Sequence, residues 1–304
     1  MKSRIYLRPP RPFIPRPRRR MPISQIDTTI YDPDPPPPPV VVVVGSSFQA
    51  VRGPLRLLWD NLIDNGAVTL TASSATVSVQ NIRQVHAGKA WRTGGKTEET
   101  LTVDLQSSEL FIRCAAVTGF NFTAAATIEL QHSTDNVTYT SFPQVVVGDA
   151  RVIAFFFDLK MSRYWKLIFR DPTNPDGYIT IGRVFLGDYW EPVSQVARGW
   201  RVELVDETDV ERSIGGQKWA NERPIFTRVA FRLPALQRDD AFTNFFDIVR
   251  RVGLRTDIFM IIDSESSRIR TATGLYGRFV GIPQIRNPAR VIYDTSEVVF
   301  EESV

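Results

Sequence analysis

The chain has 304 residues, 43% of them hydrophobic, 11% aromatic and 23% charged; this is globular composition, with material for about two domains. One cysteine, Cys114, excludes a disulfide framework and a cysteine zinc site, and two histidines, His86 and His132, are too few for a three-histidine metal centre. Eight basic residues and no acid in 1–20, followed by three aspartates in 21–39, give the first 39 residues a charge of +5 and leave the remainder at −1, so a basic nucleic-acid-binding body is not expected.

Residues 1–47 read as an extended arm. Twelve of the 21 prolines fall in residues 1–39, and the run Pro35–Pro39 favours polyproline II, because proline fixes φ and removes the backbone donor. Ile5, Tyr6, Leu7, Phe13 and Ile14 are interleaved with the bases. A solvated linker has no need of them, whereas an arm lying in a neighbour's groove does; a disordered tail remains the alternative. The interaction residues expected there are Arg8, Arg11, Phe13, Arg16, Arg18, Arg19 and Arg20. The longest apolar runs, Val40–Val44 and Val152–Phe157, are far shorter than the ~20 residues of a membrane span, and the N-terminus lacks the apolar stretch of a secretory signal.

Residues 48–192 predict a β-sandwich of jelly-roll kind. Strands are expected at Val68–Ala72, Leu101–Leu105, Leu110–Val117, Ala126–His132, Val152–Leu159, Tyr164–Phe169 and Tyr178–Phe185, each rich in β-branched and aromatic residues and bounded by turn formers. The boundary falls within Trp190–Gly199. Residues 193–304 predict a smaller β domain. Its strands are expected at Trp200–Val205, Phe226–Leu233, Asp257–Ile262, Thr273–Val280 and Ser296–Glu301, with one helix at about 236–252. That helix would bury Phe242, Phe245, Phe246, Val249 and Val252 on one face and end at Gly253.

Catalytic patterns are absent from the sequence. Gly94-Gly-Lys-Thr97 resembles the end of a phosphate loop, but Ala90 stands where that motif needs glycine, and no Gly-x-Ser-x-Gly elbow occurs. Asp135, Asn136, Asp171, Asn174 and Asp176 are oxygen ligands in loops, and turn chemistry accounts for them without calcium. Asp206, Glu207, Asp209 and Glu211 read as a polar loop or edge. No enzyme activity, cofactor or metal is expected.

From Asn61 to Tyr189 an ordered series of short segments resembles the discoidin-like, or galactose-binding-like, jelly-roll family. It comprises Thr71-Ala-Ser-Ser74, Asn81-Ile82, Trp91-Arg-Thr93, Leu101-Thr-Val-Asp-Leu105, Glu129-Leu-Gln-His-Ser133, Ser162-Arg-Tyr-Trp-Lys-Leu167 and Ile179-Thr-Ile-Gly182. The resemblance implies fold-keeping roles for Trp91, Arg92, Asp104, Arg163, Tyr164 and Trp165, with Trp91 plugging one end of the sandwich and Arg92 satisfying carbonyls beside it. It assigns no ligand-binding residue.

The C-terminal part resembles tail-tube and distal-tail proteins of tailed bacteriophages through Glu222-Arg-Pro224, Phe226–Leu233, the helix, Gly277-Arg-Phe279 and the closing Ser296-Glu-Val-Val-Phe-Glu-Glu302. That resemblance implies a non-enzymatic virion component at the tail tip or baseplate, synthesised in the host cytoplasm. It would form a homo-oligomeric ring and dock other tail proteins or fibres. The alternative expectation is a carbohydrate-binding adhesion module for host glycans. A third, nucleic-acid binding through residues 2–20, would be steeply salt-dependent.

Overall fold

The computed structural model describes residues 55–86, 88–107, 110–213, 215–262, 274–290 and 292–303, which fall within one compact unit. The arm and its expected interaction residues Arg8, Arg11, Phe13, Arg16, Arg18, Arg19 and Arg20 lie outside the described residues.

The chain runs through β1 (Arg56–Leu58), β2 (Thr69–Ala72), β3 (Trp91–Arg92), β4 (Glu99–Asp104), β5 (Phe111–Phe120), β6 (Thr127–Ser133), β7 (Thr140–Ser141), β8 (Val145–Val146), β9 (Val152–Met161), β10 (Tyr164–Arg170) and β11 (Thr180–Gly187). It continues with β12 (Arg201–Val205), β13 (Asp209–Arg212), β14 (Lys218–Asn221), β15 (Phe226–Phe231), helix α1 (Phe246–Val252), β16 (Ile258–Ile261), β17 (Gly274–Phe279), β18 (Ile285–Ala289), β19 (Ile292–Thr295) and β20 (Val298–Glu302). The fold is mainly antiparallel β. No helix among the described residues is long and apolar enough to cross a membrane.

Two sheets form the expected sandwich, ordered β2-β4-β10-β6-β7 (with β8 also on β6) and β3-β11-β5-β9. Alternation along each strand fills the space between them. Trp165, Leu167 and Phe169 of β10 meet Ile153, Phe155 and Phe157 of β9 in one core. A third sheet, ordered β1-β16-β17-β20-β15-β12, packs Ile258, Met260, Leu275, Phe279 and Phe300 under the helix residues Phe245, Ile248, Val249 and Val252.

The β3-β11-β5-β9 sheet is buried on both faces. Cys114, Ala116, Ala154, Phe156 and Phe185 point away from the sandwich core and meet Leu58, Phe259, Ile261 and Tyr276 of the third sheet. Sandwich, third sheet and helix therefore stack as consecutive layers. This explains why β5, β9 and β11 read as continuous apolar runs rather than alternating ones. A register shift between Ile112 and Cys114 changes the phase of β5, so that Ile112, Ala115 and Val117 all face the sandwich.

Three features depart from the sequence reading. Residues 56–58, placed with the sandwich by sequence, pair with β16, Leu57 opposite Met260. A three-residue strand that sends Leu57 to one core and Leu58 to another has no periodicity to reveal its partner. The polar stretch from Asp209 is a hairpin, β13 on β14. The helix opens at residues 238–239 and passes at once into a π-helical turn, Asp240–Phe245, in which the Phe246 N–H bonds to Ala241 O. That wider turn rotates Phe242 and Phe246 out of the core to 45% and 51% exposure, and Ala241 and Ile248 take the inner face instead. Gly253 ends the helix at φ 59° with its N–H on Val249 O.

Candidate functional site

β6 and β10 lie side by side with Trp165 opposite His132 and Tyr164 opposite Ser133. At this end of the sandwich β6 enters the loop 134–139, and β9 turns into β10 through Ser162 and Arg163. The Ser-Thr-Asp-Asn sequence builds the first loop. Ser133 Oγ accepts the N–H groups of Asp135 and Asn136 at 3.2 and 3.0 Å and donates to Asp135 Oδ1 at 2.8 Å. Asp135 Oδ1 in turn accepts the N–H groups of Val137 and Thr138, each at 2.9 Å. Asn136 takes φ 62°, which asparagine tolerates. The two backbone donors, then Ser133, lower the Asp135 carboxyl to about 2.

His132 stands over this loop. Its Nδ1 is 2.9 Å from Ser162 Oγ, and its ring lies 5.5 Å from that of Trp165 and 5.3 Å from that of Phe142. Burial, then the charge of Lys160, lowers the imidazole pKa, so the ring is neutral at pH 7 and offers one N–H and one lone pair.

Between the loop and the β9–β10 turn lies an open depression of about 560 Å³. Its polar groups come from His132, Asp135, Thr138, Thr140, Lys160 and Ser162. Leu159 and Met161, each 48% exposed, supply apolar surface. The flank is rigid. Arg163 donates to the two Asp104 oxygens at 2.7 and 3.0 Å and lies 4.9 Å from the Tyr164 ring centre. Trp165 is fully buried and its Nε1 donates to Ser162 O at 2.9 Å, which holds the turn in place. Lys166 Nζ sits 3.7 Å over the Tyr139 ring.

Asp104, Arg163, Tyr164 and Trp165 thus meet at the depression's end, while Trp91 and Arg92 lie at the other. Trp91 is fully buried, donates from Nε1 to Ser74 O at 3.0 Å and meets Phe169 edge-on at 6.1 Å. Among the described residues Arg92 makes no side-chain hydrogen bond to a carbonyl. With Trp91 facing inward on β3, its neighbour faces solvent, and its guanidinium lies 4.3 Å over Tyr178. Buried Arg183 takes a carbonyl-binding role instead, donating to Ile82 O at 3.0 Å.

His86 lies apart, in a depression of about 370 Å³ with Phe226 and Arg278. Among the described residues no three His, Cys, Asp or Glu side chains gather to hold a metal ion. Asp171 is fully buried and accepts the Thr123 N–H at 2.8 Å, Thr123 Oγ1 at 2.6 Å and Asn174 Nδ2 at 3.1 Å. Its loop is tied by these bonds. Lys160 carries no sequence mark, and Ser162 is marked only as the start of a segment shared with the jelly-roll family. Only the pairing of β6 with β10 brings their turn to His132, thirty residues away.

No family model and no curated protein matches the chain. Solved structures similar to it include a module of Clostridium perfringens, CpGH89CBM32-5, in complex with GalNAc-β-1,3-galactose, at 15% identity and a TM-score of 0.37, covering 42% of this chain and all of that one. Chitosan-binding module 1 from the chitosanase/glucanase of Paenibacillus sp. IK-5 has 18% identity and a TM-score of 0.36, covering 42% of this chain and 99% of that one. A Streptococcus pneumoniae fucose-binding module has 16% identity and a TM-score of 0.33, covering 42% and 94% respectively.

Proposed function

We propose that the chain is a non-enzymatic binding protein whose sandwich holds a neutral saccharide in the depression beside His132. The observation that carries this reading is the composition of that depression. Hydroxyls of Thr138, Thr140 and Ser162, a neutral imidazole and the Lys160 amine surround it, with Leu159 and Met161 as apolar surface. Sugars present alternating hydroxyl and C–H surfaces, which such a mixture matches. The one carboxylate there, Asp135, already accepts bonds from its own loop, and a glycosidase needs two opposed carboxyls. The test is a glycan array on the full chain with galactosyl and fucosyl probes, and cationic chitosan as the contrasting probe, followed by calorimetric titration. Lys160→Ala and Thr138→Val are expected to weaken a hit about tenfold or more with thermal stability unchanged. No binding, or binding indifferent to both substitutions, overturns the reading.

A second reading is a structural subunit of a homo-oligomeric ring, of the tail-tip kind named above, residing in a virion beside other tail proteins. It is supported by the resemblance of residues 222–302 and by a specific surface: β12, β13 and β14 are exposed along nearly their whole length. Native mass spectrometry of the full chain tests it, and a monomer at every concentration overturns it.

A further inference from the structure

The two edges of the third sheet differ. At the β1 edge, Leu57 exchanges both backbone bonds with Trp190, N–H to O at 3.0 Å and O to N–H at 2.9 Å, so that edge is covered. At the other edge β12 pairs with β15 in unbroken register from Arg201 opposite Ala230 to Val205 opposite Phe226. Among the described residues no strand pairs with its outer side. Soluble proteins blunt such an edge with proline, a bulge, charged side chains or a very short strand. β12 has no proline or bulge, and its charges are engaged sideways: Arg201 with Glu297 at 3.1 Å, Glu203 with Arg228 at 3.2 Å. Leu204 is 70% exposed, and the neighbouring hairpin holds Trp219 at 65%.

We propose that the outer edge of β12 accepts residues Val40–Val44 of a second copy of this chain as an added strand. The proposal rests on the assembly reading above and names its contact. Five consecutive valines suit a strand, and Pro35–Pro39, lacking N–H donors, end it on one side. Charge complements the match. Eight bases and three aspartates precede the valines, a net +5, while residues 203–222 carry six acids against two bases.

Geometry favours a second copy over the chain's own segment. The described chain starts at the β1 edge, five strand spacings or roughly 24 Å from β12. On β16 and β17 one face meets the sandwich and the other the helix. The chain's own valines would have to pass around those covered strands, whereas a neighbour placed edge to edge brings its residue 55 beside β12. A fully overlapped antiparallel pairing of β12 with another β12 would set Glu203 opposite Glu203, which is unfavourable.

The test uses the full chain. Wild type is expected to be oligomeric by native mass spectrometry. The double variant Val41→Pro/Val43→Pro and the single variant Leu204→Lys should each raise the dissociation constant at least about tenfold with the thermal midpoint unchanged. Mixed Val42→Cys and Leu204→Cys chains should form a disulfide-linked heterodimer under oxidation; Cys114 is buried and does not compete. A monomeric wild type overturns both this contact and the assembly reading. An oligomer untouched by the prolines, or a crosslink formed only within a doubly substituted chain, overturns the contact and leaves the assembly reading standing.

Discussion

Phe185 of β11 and Phe259 of β16 meet edge to face across the seam between sandwich and third sheet, ring centroids 5.9 Å apart and planes at 70°. Both are almost wholly buried. Phe259 also lies 4.8 Å from the Tyr276 ring, whose hydroxyl donates to Val85 O at 2.8 Å and whose pKa burial pushes up to about 12. The seam is thus a third core rather than a wet contact between separable domains.

Phe259→Ala is expected to cost about 3–5 kcal/mol by urea denaturation, the range for emptying a buried phenylalanine site. Phe185→Ala should cost a similar amount, and the double variant less than the two together, by about 1 kcal/mol. The wild type should unfold in one transition. Additive costs, or two wild-type transitions, would show that the seam does not couple the halves.

Gly277 of β17 pairs with Glu302, and a Cβ on it would stand 1.8 Å from Glu301 O. No movement short of parting β17 from β20 relieves that clash. Gly277→Ala should therefore destabilise by at least about 3 kcal/mol, or fail to fold. Gly66→Ala, with open space around it, is the control and should have little effect on the thermal midpoint.

The Asp135 carboxyl titrates near 2 rather than near 3.8. A depressed folded-state pKa means that the loop's stabilisation is complete above about 4 and is lost as pH falls towards 2. Carboxyl-carbon NMR should place the midpoint near 2, and Ser133→Ala, which removes one donor, should raise it. A midpoint near 4 in the wild type would contradict the loop's hydrogen bonding.

His132 is held below its ordinary pKa by burial first and by Lys160 second. The sign is that of a base buried neutral: the stabilisation is complete above the unfolded value of about 6.5 and declines as pH falls through the lower folded value. Lys160→Gln should shift the imidazole midpoint upward by NMR while leaving it below the ordinary value. An unchanged midpoint would place the ammonium away from the ring.

The strand positions were legible because hydrophobic alternation and turn residues carry them: Tyr164–Arg170 follows from its inward Trp165, Leu167 and Phe169. The layering was not. Phe155, Phe156 and Phe157 announce a strand buried on both sides, but nothing local tells that Phe156 meets the third sheet and not the sandwich. The helix was legible in its last turn, at Val249, Val252 and Gly253, and misread where a π-helical turn moves Phe242 outward. Of the candidate site, the Ser133–Asn136 turn was visible as a turn. Its meeting with Ser162 depends on strand pairing, which a single sequence does not display.

The sheet that is dry on both faces has a directional consequence. It leaves no swivel between the depression at His132 and the open side of β12, so each molecule carries the two at one fixed bearing. In a ring of copies joined through that side, every depression would keep the same inclination to the ring axis. Were each depression to hold a saccharide as proposed, many feeble grips would engage one surface together, and avidity rather than the strength of a single grip would govern attachment.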